Sequence, residues 1–447
     1  MKYEIIVIGG GPAGIISAVT ARKHYPNKKI LLIKSVGKGV VPCGIPYMFK
    51  TLENPEDNLL GDAPLTSNKV EIKVDEVINI NKELKVIKTN NDSFEYEKLI
   101  LAIGSNPIIP KIEGVEKKGV YSIYKEFNYL KNLKEKIFAS KNIVIIGGGF
   151  IGVEFADELS KLNEVNIYLV ELSADILSNS FDKEFAQLAH DFLSKQGVNI
   201  ITGSKVEKIN GDEEVNSVSL SNGNSIPADM VILGMGATPN SKLAEQAGVV
   251  VDKHKGIIVN EYMETSDPNI FAVGDCAEKK SFFTQDPVNI MLASIATAEA
   301  RIAGLNLYKE DAKLKSKGTI ASYSTEIGNL TLAAVGLTET AANKKGMNIM
   351  VGSVECPDKH PGKMPGVANI KLKLLFSKES EKLLGGQVAG GCSCGELINI
   401  IGLAIQKNTL LTELETLQVA THPKLTAAPT KYPIISAAQT VIFNRNK

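Results

Sequence analysis

Two stretches of the chain share one order of apolar and polar positions: a short apolar run, a glycine-rich turn and a longer, largely apolar segment. Residues 3–25 are YEIIVIGGGPAGIISAVTARKHY, and residues 142–160 are NIVIIGGGFIGVEFADELS. A second apolar run follows each of them, KILLIK in the first case and NIYLVE in the second. Strands that alternate with helical patterns are typical of βαβ units and a parallel sheet. The pattern therefore predicts an α/β chain with two Rossmann-like units.

The glycines in both turns follow the spacing G-x-G-x-x-G. They are Gly9, Gly11 and Gly14 in the first turn, and Gly147, Gly149 and Gly152 in the second. Between a strand and a helix, this spacing permits a tight turn and lets a pyrophosphate approach the N–H groups at the start of the helix. Each turn therefore predicts a dinucleotide site. Two such sites on one chain favour a flavin and a nicotinamide, with a hydride passing between them.

The residue that ends the second strand differs in charge between the two units. Glu171 follows Gly152 by about 20 residues, where an acid accepts hydrogen bonds from a ribose 2′-OH and repels a 2′-phosphate. We therefore expect the second site to favour NADH over NADPH, unless Glu171 is only a surface residue at a strand end. The corresponding residue of the first unit is Lys34. The ribose contact must differ there, with Ser35 or a water as a substitute.

Composition restricts the remaining function classes. With 447 residues the chain is too long for one core, and its 50 basic and 50 acidic residues give a net charge of zero. This balance provides no electrostatic footprint for nucleic acid or for an anionic membrane. No apolar run approaches the roughly 20 residues of a membrane helix, and the N-terminus lacks a signal-peptide layout. Five thinly spread cysteines argue against a disulfide scaffold, so we expect a cytoplasmic protein.

Three further stretches narrow the comparison. They are LILAIGSNPIIP at residues 99–110, PNIFAVGDCA at 268–277 and GGQVAGGCSCGELINIIGLAIQ at 385–406. Together with the two fingerprints, and in this order, they resemble the flavoprotein pyridine nucleotide–disulfide reductases over essentially the whole chain. The resemblance implies that Asp275 binds the ribityl–phosphate region of FAD and that the C-terminal part is a dimerisation domain.

The resemblance also implies a three-part architecture. An FAD-binding domain is split into residues 1–113 and 243–316, an NAD-binding domain occupies 114–242, and an α/β dimerisation domain occupies 317–447. A homodimer is implied, because such an active site borrows residues from the partner, and no metal is expected. The residues expected to contact FAD or NADH are Gly9, Gly11, Pro12, Ala13, Gly14, Lys34, Ala102, Gly104, Gly274, Asp275, Gly147, Gly149, Ile151, Gly152, Glu154, Glu171 and Gly236.

The segment VPCGIPY at residues 41–47 favours one branch of that family. Two-cysteine members carry C-x4-C here, whereas this chain has Cys43 and then Met48 at the position of the second cysteine. It resembles the single-cysteine branch of coenzyme A-disulfide reductases, NADH-dependent persulfide and polysulfide reductases, NADH oxidases and NADH peroxidases, although Pro42 replaces the usual Asn. A thiolate beside an oxidised flavin is a ready nucleophile. The alternatives are a buried inert cysteine and, less favoured, a metal ligand.

Two features favour the coenzyme A-linked members of this branch. The oxidases and peroxidases carry a histidine in the first fingerprint, and this chain has none there, which disfavours peroxide or oxygen as the acceptor. Arg22 and Lys23 end the first helix, where coenzyme A-linked members use basic residues on the coenzyme A phosphates; basic residues are also common at helix C-termini for other reasons. With Tyr47 they form the expected substrate site. The implied substrate is coenzyme A disulfide, a persulfide or a polysulfide.

In the implied mechanism, NADH reduces the flavin, which releases the Cys43 thiolate from a bond to a second sulfur. The thiolate then forms a mixed disulfide with the next substrate. His422 or Tyr432 of the partner would protonate the departing thiolate. The glutamate that is paired with the histidine of two-cysteine members is replaced by Ala427. An exposed loop residue is the alternative for His422, and a structural role is favoured for His360.

The remaining cysteines are expected to be structural. Cys392 and Cys394 open a predicted helix, and packing is favoured over a redox pair because C-x-C closes a small, strained ring. Cys276 and Cys356 are expected to pack as well.

Two other functions stay open. One is an NADH oxidase or peroxidase that cycles Cys43 through sulfenic acid. The other is a flavoprotein that passes electrons to a protein partner, with Cys43 idle.

Overall fold

The computed structural model describes residues 1–162, 164–309 and 313–445. The chain divides into two units, each assembled from segments that are distant along the sequence. The first unit comprises Met1–Pro110, Tyr121–Ala139 and Gly236–Thr319, and the second comprises Lys111–Val120, Ser140–Met235 and Ile320–Lys447.

The strands are numbered in chain order. They are β1 (Lys2–Ile8), β2 (Ile30–Lys34), β3 (Gly39–Val40), β4 (Leu59–Leu60), β5 (Glu71–Val74), β6 (Val77–Asn81), β7 (Val86–Thr89), β8 (Ser93–Leu101), β9 (Ser105–Pro107), β10 (Val120–Ser122), β11 (Asn142–Ile146), β12 (Asn166–Val170), β13 (Asn199–Ile201), β14 (Val206–Asn210), β15 (Ser217–Leu220), β16 (Ser225–Pro227), β17 (Met230–Leu233), β18 (Ala237–Pro239), β19 (Val251–Asp252), β20 (Gly256–Ile257), β21 (Ile270–Ala272), β22 (Lys279–Lys280), β23 (Pro287–Val288), β24 (Tyr323–Ile327), β25 (Leu330–Gly336), β26 (Ile349–Pro357), β27 (Asn369–Ser377) and β28 (Leu383–Gly390).

The helices are numbered in the same way. They are α1 (Pro12–His24), α2 (Ala63–Ser67), α3 (Phe127–Ala139), α4 (Phe150–Ser160), α5 (Lys183–Lys195), α6 (Lys242–Gln246), α7 (Ala293–Asn306), α8 (Glu339–Lys344), α9 (Cys394–Gln406), α10 (Leu411–Glu415) and α11 (Pro433–Arg445). Within the described residues, none of the helices has the length and apolar composition that crossing a membrane requires.

The first unit is organised around a sheet with the strand order β5-β2-β1-β8-β7-β6, to which β21 adds by pairing with β8. β1 runs parallel to both β2 and β8. Parallel strands that are covered on both faces are continuous apolar runs, and Ile5, Ile6 and Val7 of β1 are fully buried. α1 packs against α7. A Cβ on Gly304 of α7 would lie 2.9 Å from the carbonyl oxygen of Ser17, so the two helices approach closely there.

The second unit repeats this plan and adds two antiparallel sheets. The parallel strands follow the order β17-β11-β12-β13, and Ile143, Val144 and Ile145 of the central β11 are fully buried. The antiparallel sheets have the orders β14-β15-β16 and β24-β25-β28-β27-β26, and α9 and α11 pack on the larger one. The predicted α/β class, with two Rossmann-like units and a C-terminal α/β domain, is confirmed.

A buried ion cluster joins three elements of the second unit. Lys373 on β27 has a side chain that is only 7% exposed. Its Nζ lies 3.1 Å from Asp182, 2.6 Å from Glu184 and 2.5 Å from Glu339. The three carboxylates are close enough together to hold a metal ion, but the lysine ammonium already binds all three. Asp182 also accepts hydrogen bonds from the N–H groups of Glu339 at 3.0 Å and Thr340 at 2.9 Å, which satisfies the start of α8.

Candidate active site

The first fingerprint, from Gly9 to Gly14, forms a concave backbone turn that only glycines permit. This turn is called the first cradle, and the corresponding turn from Gly147 to Gly152 is called the second cradle. Gly9 has φ +117°, and a Cβ there would lie 2.1 Å from the carbonyl oxygen of Ala102. A Cβ on Gly14 would lie 1.9 Å from the carbonyl oxygen of Gly9. In contrast, a Cβ on Gly11 would meet nothing within 4 Å. The turn is therefore closed towards the protein and open in front of the helix, as a pyrophosphate site requires.

The start of α1 offers backbone donors to an anion. Its N-cap is Gly11, its first residue is Pro12, and no side chain caps the turn. Pro12 has no N–H, so its place at the start of the helix removes no donor that the helix would use. The N–H groups that follow, such as that of Ala13, can be satisfied by a phosphate.

Asp275 lies on a turn that packs against the first turn of α1. Its neighbour Gly274 has φ +74°, and a Cβ there would lie 2.9 Å from the Cβ of Ala13. Oδ2 of Asp275 accepts hydrogen bonds from Oγ of Ser105 at 2.8 Å and Nζ of Lys125 at 2.9 Å. Burial alone would raise the pKa of Asp275, but the Lys125 charge and the two hydrogen bonds lower it below its usual value. Asp275 is therefore an ionised acceptor beside the cradle.

A second ion pair holds the same turn from the protein side. Nζ of Lys279 donates to the carbonyl oxygens of Gly274 at 2.6 Å and Ala277 at 2.7 Å. Glu299 on α7 accepts from the N–H of Gly274 at 2.9 Å and lies 3.1 Å from Lys279. Both charged side chains are buried. The Asp275 turn is thus fixed through its backbone by a pair of opposite charges.

Gly104 and Gly236 flank a two-stranded antiparallel sheet of the first unit. Gly104 precedes β9 and Gly236 precedes β18, and these two strands pair with each other. A Cβ on Gly104 would meet nothing within 4 Å, so its backbone presents an open face just beyond β8. Contact of either glycine with a cofactor stays a prediction.

Lys34 has a different role from the one its position at the end of β2 suggested. Its side chain is 5% exposed, and Nζ donates to both carboxylate oxygens of Asp62 at 2.7 Å and to the carbonyl oxygen of Gly37 at 3.0 Å. The ammonium of Lys34 is bound within the protein, and contact of its side chain with a cofactor stays a prediction. A carboxylate does lie beside the end of β2, but it belongs to Asp62 and not to the last residue of the strand.

The second fingerprint has the same geometry as the first. Gly147 has φ +110°, and a Cβ on Gly152 would lie 1.8 Å from the carbonyl oxygen of Gly147. A Cβ on Gly149 would meet nothing within 4 Å, and Gly149 is the N-cap of α4 without a capping side chain. Ile151 lies in the first turn of this helix. The second cradle is therefore as suited to a pyrophosphate as the first.

Glu171 follows β12 and lies beside the second cradle. Its Oε2 accepts from the N–H of Gly148 at 2.6 Å, and its Oε1 accepts from the N–H of Ser173 at 2.7 Å. These bonds fix the carboxylate at the strand end, where a ribose would bind. This geometry supports the preference for NADH, which stays a prediction.

Glu154 occupies the second turn of α4 and is largely removed from water. Its Oε1 accepts a hydrogen bond from Oγ1 of Thr325 on β24 at 2.8 Å. Burial raises the pKa of Glu154 to about 7, against the effect of the Thr325 hydroxyl and with a further contribution from the Asp157 charge. A carboxyl group that titrates near neutral pH is a frequent feature of functional sites.

Cys43 is exposed on a short turn, Pro42–Gly44, of the first unit. A Cβ on Gly44 would lie 1.9 Å from Oδ1 of Asn58. Asn58 is 4% exposed; its Nδ2 donates to the carbonyl oxygen of Val41 at 3.1 Å, and its own carbonyl oxygen accepts from the N–H of Val41 at 2.9 Å. The buried Asn58 side chain therefore braces the chain on both sides of Cys43.

Among the residues expected to bind substrate, Arg22 is hydrogen-bonded within the protein. Its guanidinium donates to the backbone carbonyl oxygens of Pro26, Lys28, Asn68 and Lys69. These bonds take up most of its donors, and contact of Arg22 with a coenzyme A phosphate stays a prediction. Lys23 is exposed near the end of α1, and Tyr47 is partly exposed in the turn after Cys43. Their contact with substrate stays a prediction.

His422 is exposed and retains a ring nitrogen that can donate. Its Nδ1 accepts from the N–H of Lys424 at 3.3 Å. With Nδ1 as the acceptor, the neutral ring carries its proton on Nε2. Ala427 is buried nearby in the sequence and offers no orienting carboxylate. Nδ1 of His360 lies 3.0 Å from the carbonyl oxygen of Thr426, so His360 ties two loops of the second unit together.

Tyr432 is the less suitable donor of the two that the sequence suggested. It is only 8% exposed, and burial raises the pKa of its hydroxyl. A role of Tyr432 as a proton donor to substrate stays a prediction.

The remaining cysteines differ in exposure. Cys276, Cys356 and Cys394 are buried, and burial raises the pKa of Cys394 to about 12 and of Cys276 to about 11. The expectation that Cys392 packs beside Cys394 is wrong, because Cys392 is exposed.

Three side chains of the site escaped the sequence patterns: Asp62, Lys125 and Asn58. Asp62 is 28 positions from Lys34, and Lys125 is 150 positions from Asp275. No periodicity connects partners so far apart. One signal in the sequence did relate to Asp62. Lys34 occupies a position where an acid was expected, so a carboxylate could be sought elsewhere in the chain.

Residues 3–300 match the family described as pyridine nucleotide-disulphide oxidoreductase, and residues 324–432 match the dimerisation domain of that family. The chain belongs to the pyridine nucleotide-disulphide oxidoreductases. It is an NAD(P)H-dependent flavoprotein oxidoreductase, and the family implies FAD as the flavin.

Relatives carry two kinds of name. The chain is 31% identical to an NADH oxidase of Methanocaldococcus jannaschii over 94% of each chain. It is also 31% identical to an NAD(P)H coenzyme A polysulfide/persulfide reductase of Pyrococcus horikoshii, over 87% of this chain and 88% of that protein. Among solved structures, an NAD-dependent persulfide reductase from A. fulgidus superposes with a TM-score of 0.90 at 28% identity, covering 100% of this chain and 84% of that one. The domain boundaries expected at residues 113, 242 and 316 stay a prediction.

Proposed function

We propose that this protein uses NADH to reduce a sulfur–sulfur bond of a small molecule, through FAD and the single thiol of Cys43. The substrate class is coenzyme A disulfide, a persulfide or a polysulfide. The observation that carries the proposal is the exposed Cys43 on its braced turn, in the same unit as the first cradle. An exposed thiol in a fixed position suits nucleophilic attack on sulfur.

The two cradles fit the two cofactors. The first cradle, with Asp275 beside it, suits FAD, and the second cradle, with Glu171 beside it, suits NADH. Bound flavin supplies the step that protein side chains cannot perform, because it takes two electrons from NADH and delivers them to a sulfur–sulfur bond. The protein binds and orients the cofactors and the substrate, and its side chains move protons.

The role proposed for Cys43 is nucleophilic. Its thiolate attacks one sulfur of the substrate R–S–S–R, the S–S bond breaks, and a mixed disulfide Cys43–S–S–R forms as RS⁻ leaves. Two electrons from NADH then cleave the mixed disulfide to the Cys43 thiolate and a second RS⁻. His422 could protonate a departing thiolate from Nε2, in a homodimer that places it at the partner's site. The match to a dimerisation domain supports the homodimer.

An NADH oxidase is the second candidate, because the relative from Methanocaldococcus jannaschii carries that name. It would cycle Cys43 through a sulfenic acid with oxygen or peroxide as the acceptor. The first fingerprint, from Gly9 to Gly14, contains no histidine that could assist this chemistry.

The test is an anaerobic titration of the holoprotein with NADH, followed by rapid mixing with one acceptor at a time. The acceptors are coenzyme A disulfide, polysulfide, hydrogen peroxide and oxygen. We expect fast reoxidation by a sulfur acceptor in the wild type, loss of that reaction in Cys43→Ser, and no loss in Cys392→Ser, which removes the other exposed thiol.

Two outcomes would overturn the proposal. Fast reoxidation by oxygen or peroxide alone would establish the oxidase instead. Full turnover of a sulfur acceptor by Cys43→Ser would show that this thiol is idle. Mass spectrometry of the untreated protein adds a direct observation, since a coenzyme A or sulfur adduct should be present on Cys43 and absent from Cys392.

A further inference from the structure

The end of β2 carries an ion pair between Lys34 and Asp62. In a dinucleotide-binding unit this position normally holds the acid that binds ribose hydroxyls. Here Lys34 occupies it, and its buried ammonium donates to both oxygens of the Asp62 carboxylate at 2.7 Å. The aliphatic part of Lys34 packs against the glycine-rich turn, since a Cβ on Gly10 would lie 2.8 Å from Cβ of Lys34.

The Asp62 carboxylate does not cap the helix that it precedes. Asp62 is the N-cap of α2, a position at which Asp commonly accepts from the N–H groups of its own helix, yet its side chain makes no such bond. It binds Lys34 instead, while its side chain remains 37% exposed. A carboxylate has about four lone-pair positions, so acceptor capacity is left on the side that faces solvent.

Asp62 is also close to the fingerprint in space. β4, which ends at Leu60, pairs with β3, which begins at Gly39. A Cβ on Gly39 would lie 3.7 Å from Cβ of Leu60 and 3.9 Å from the carbonyl oxygen of Gly10. The chain that leads into Asp62 therefore runs beside the first glycine-rich turn, independently of the Lys34 contact.

We propose that Asp62, held by Lys34, is the acceptor for the hydroxyl groups of the adenosine ribose of FAD. Lys34 is the positioning residue: it occupies the usual place of the acid and directs a second, distant carboxylate to the ribose. The proposal depends on flavin binding, which the family implies. It is independent of Cys43 and of the identity of the electron acceptor.

The test measures flavin affinity without turnover. The full-length chain is freed of flavin and titrated with FAD, and in parallel with the FAD analogue whose adenosine lacks the 2′-OH. A hydrogen bond to a charged group contributes enough that Asp62→Asn should weaken FAD binding by about 10- to 100-fold. The same variant should bind the 2′-deoxy analogue almost as the wild type does, because that contact is already missing. The matched control is Asp92→Asn, whose carboxylate binds Lys73 at 2.6 Å in the same unit.

Three outcomes would overturn the inference. These are unchanged FAD affinity in Asp62→Asn, an equal loss for FAD and for the analogue, or a ribose-specific loss in Ser35→Ala instead. The double variant Lys34→Glu/Asp62→Asn returns the acid to the strand end and should recover discrimination between FAD and the analogue. Asp62→Asn alone leaves the Lys34 ammonium without its carboxylate partner. If that variant does not fold, the double variant, which also removes the lysine, still tests the ribose contact. Failure to recover discrimination there would count against the ribose role.

Discussion

The ion cluster around Lys373 provides a sharp test of how burial determines the strength of an ion pair. Two of the three carboxylates that bind this ammonium are those of Asp182, at 3.1 Å, and Glu184, at 2.6 Å. Their environments differ, because the side chain of Asp182 is 4% exposed and that of Glu184 is 41% exposed. The substitutions Asp182→Asn and Glu184→Gln each remove one charge from this cluster and preserve side-chain size.

The magnitude follows from the contacts of Asp182. Burial alone would raise its pKa, but hydrogen bonds from Thr340 and Gln387 and the ammonium of Lys373 lower it to about 2 from an ordinary value of 3.8. A shift of this size corresponds to about 2–3 kcal/mol of stability. Breaking a buried pair from one side costs about 3–5 kcal/mol. We expect Asp182→Asn to cost about 3 kcal/mol and Glu184→Gln less than about 1 kcal/mol.

The assay is urea unfolding followed by far-UV circular dichroism, because the chain has no tryptophan to report on its core. Hydrogen exchange of α8 localises the effect, since Asp182 binds the N–H groups of Glu339 and Thr340. The folded-state pKa of Asp182 is depressed, so its contribution is present above the unfolded-state pKa and is lost as the pH falls towards 2. The difference between wild type and Asp182→Asn should therefore be constant from about pH 7 to about pH 5 and shrink below about pH 4.

Three results would refute this reasoning. One is an equal destabilisation by Asp182→Asn and Glu184→Gln, which would mean that burial does not determine the cost. Another is a loss of protection spread over the second unit and absent from α8. The third is a difference that grows as the pH falls, because the sign of the Asp182 shift requires the opposite.

The remaining predictions concern the candidate site. Glu171→Ala should lower kcat/KM for NADH by about 10- to 100-fold and narrow the preference over NADPH, as measured by steady-state rates with each coenzyme; an unchanged preference would contradict the ribose role. Gly44→Ala should slow alkylation of Cys43 and sulfur-acceptor turnover together, because the added Cβ would lie 1.9 Å from Oδ1 of Asn58. Glu154→Gln should raise the thermal midpoint at about pH 8 and have little effect at about pH 4, because burial raises the pKa of Glu154 to about 7 and makes its ionised form the unfavourable one. Equal gains at both pH values would contradict that sign.

The parts of the fold that could be predicted from sequence are those whose partners are contiguous along the chain. The Gly9–Gly14 contact connects residues within one turn, and a Cβ on Gly14 would lie 1.9 Å from the carbonyl oxygen of Gly9. The spacing of the motif therefore encodes the geometry directly. The same holds for Gly147 and Gly152.

The parts that could not be predicted depend on tertiary partners. Arg22 had the charge and the helix-end position of a phosphate ligand, but its guanidinium is used by carbonyl oxygens of Asn68 and Lys69, which no pattern around Arg22 reveals. Tyr432 had suitable chemistry, but its burial by the surrounding side chains was invisible in the sequence. Residue type indicates what a side chain can do, whereas the fold determines which of its bonds remain available.

The Asp275 turn shows how such tertiary partners prepare a site before any ligand binds. Lys279 and Glu299 carry opposite charges, lie 3.1 Å apart and both bind the backbone of Gly274. They neutralise each other inside the protein, so the ionised Asp275 is balanced from the open side by Lys125 at 2.9 Å. Lys125 is 41% exposed at its side chain and can turn into solvent at little cost. We expect a hydroxyl-bearing ligand at this turn to meet a fixed carboxylate and to displace the exposed ammonium of Lys125, so that preorganisation lowers the ordering cost of binding.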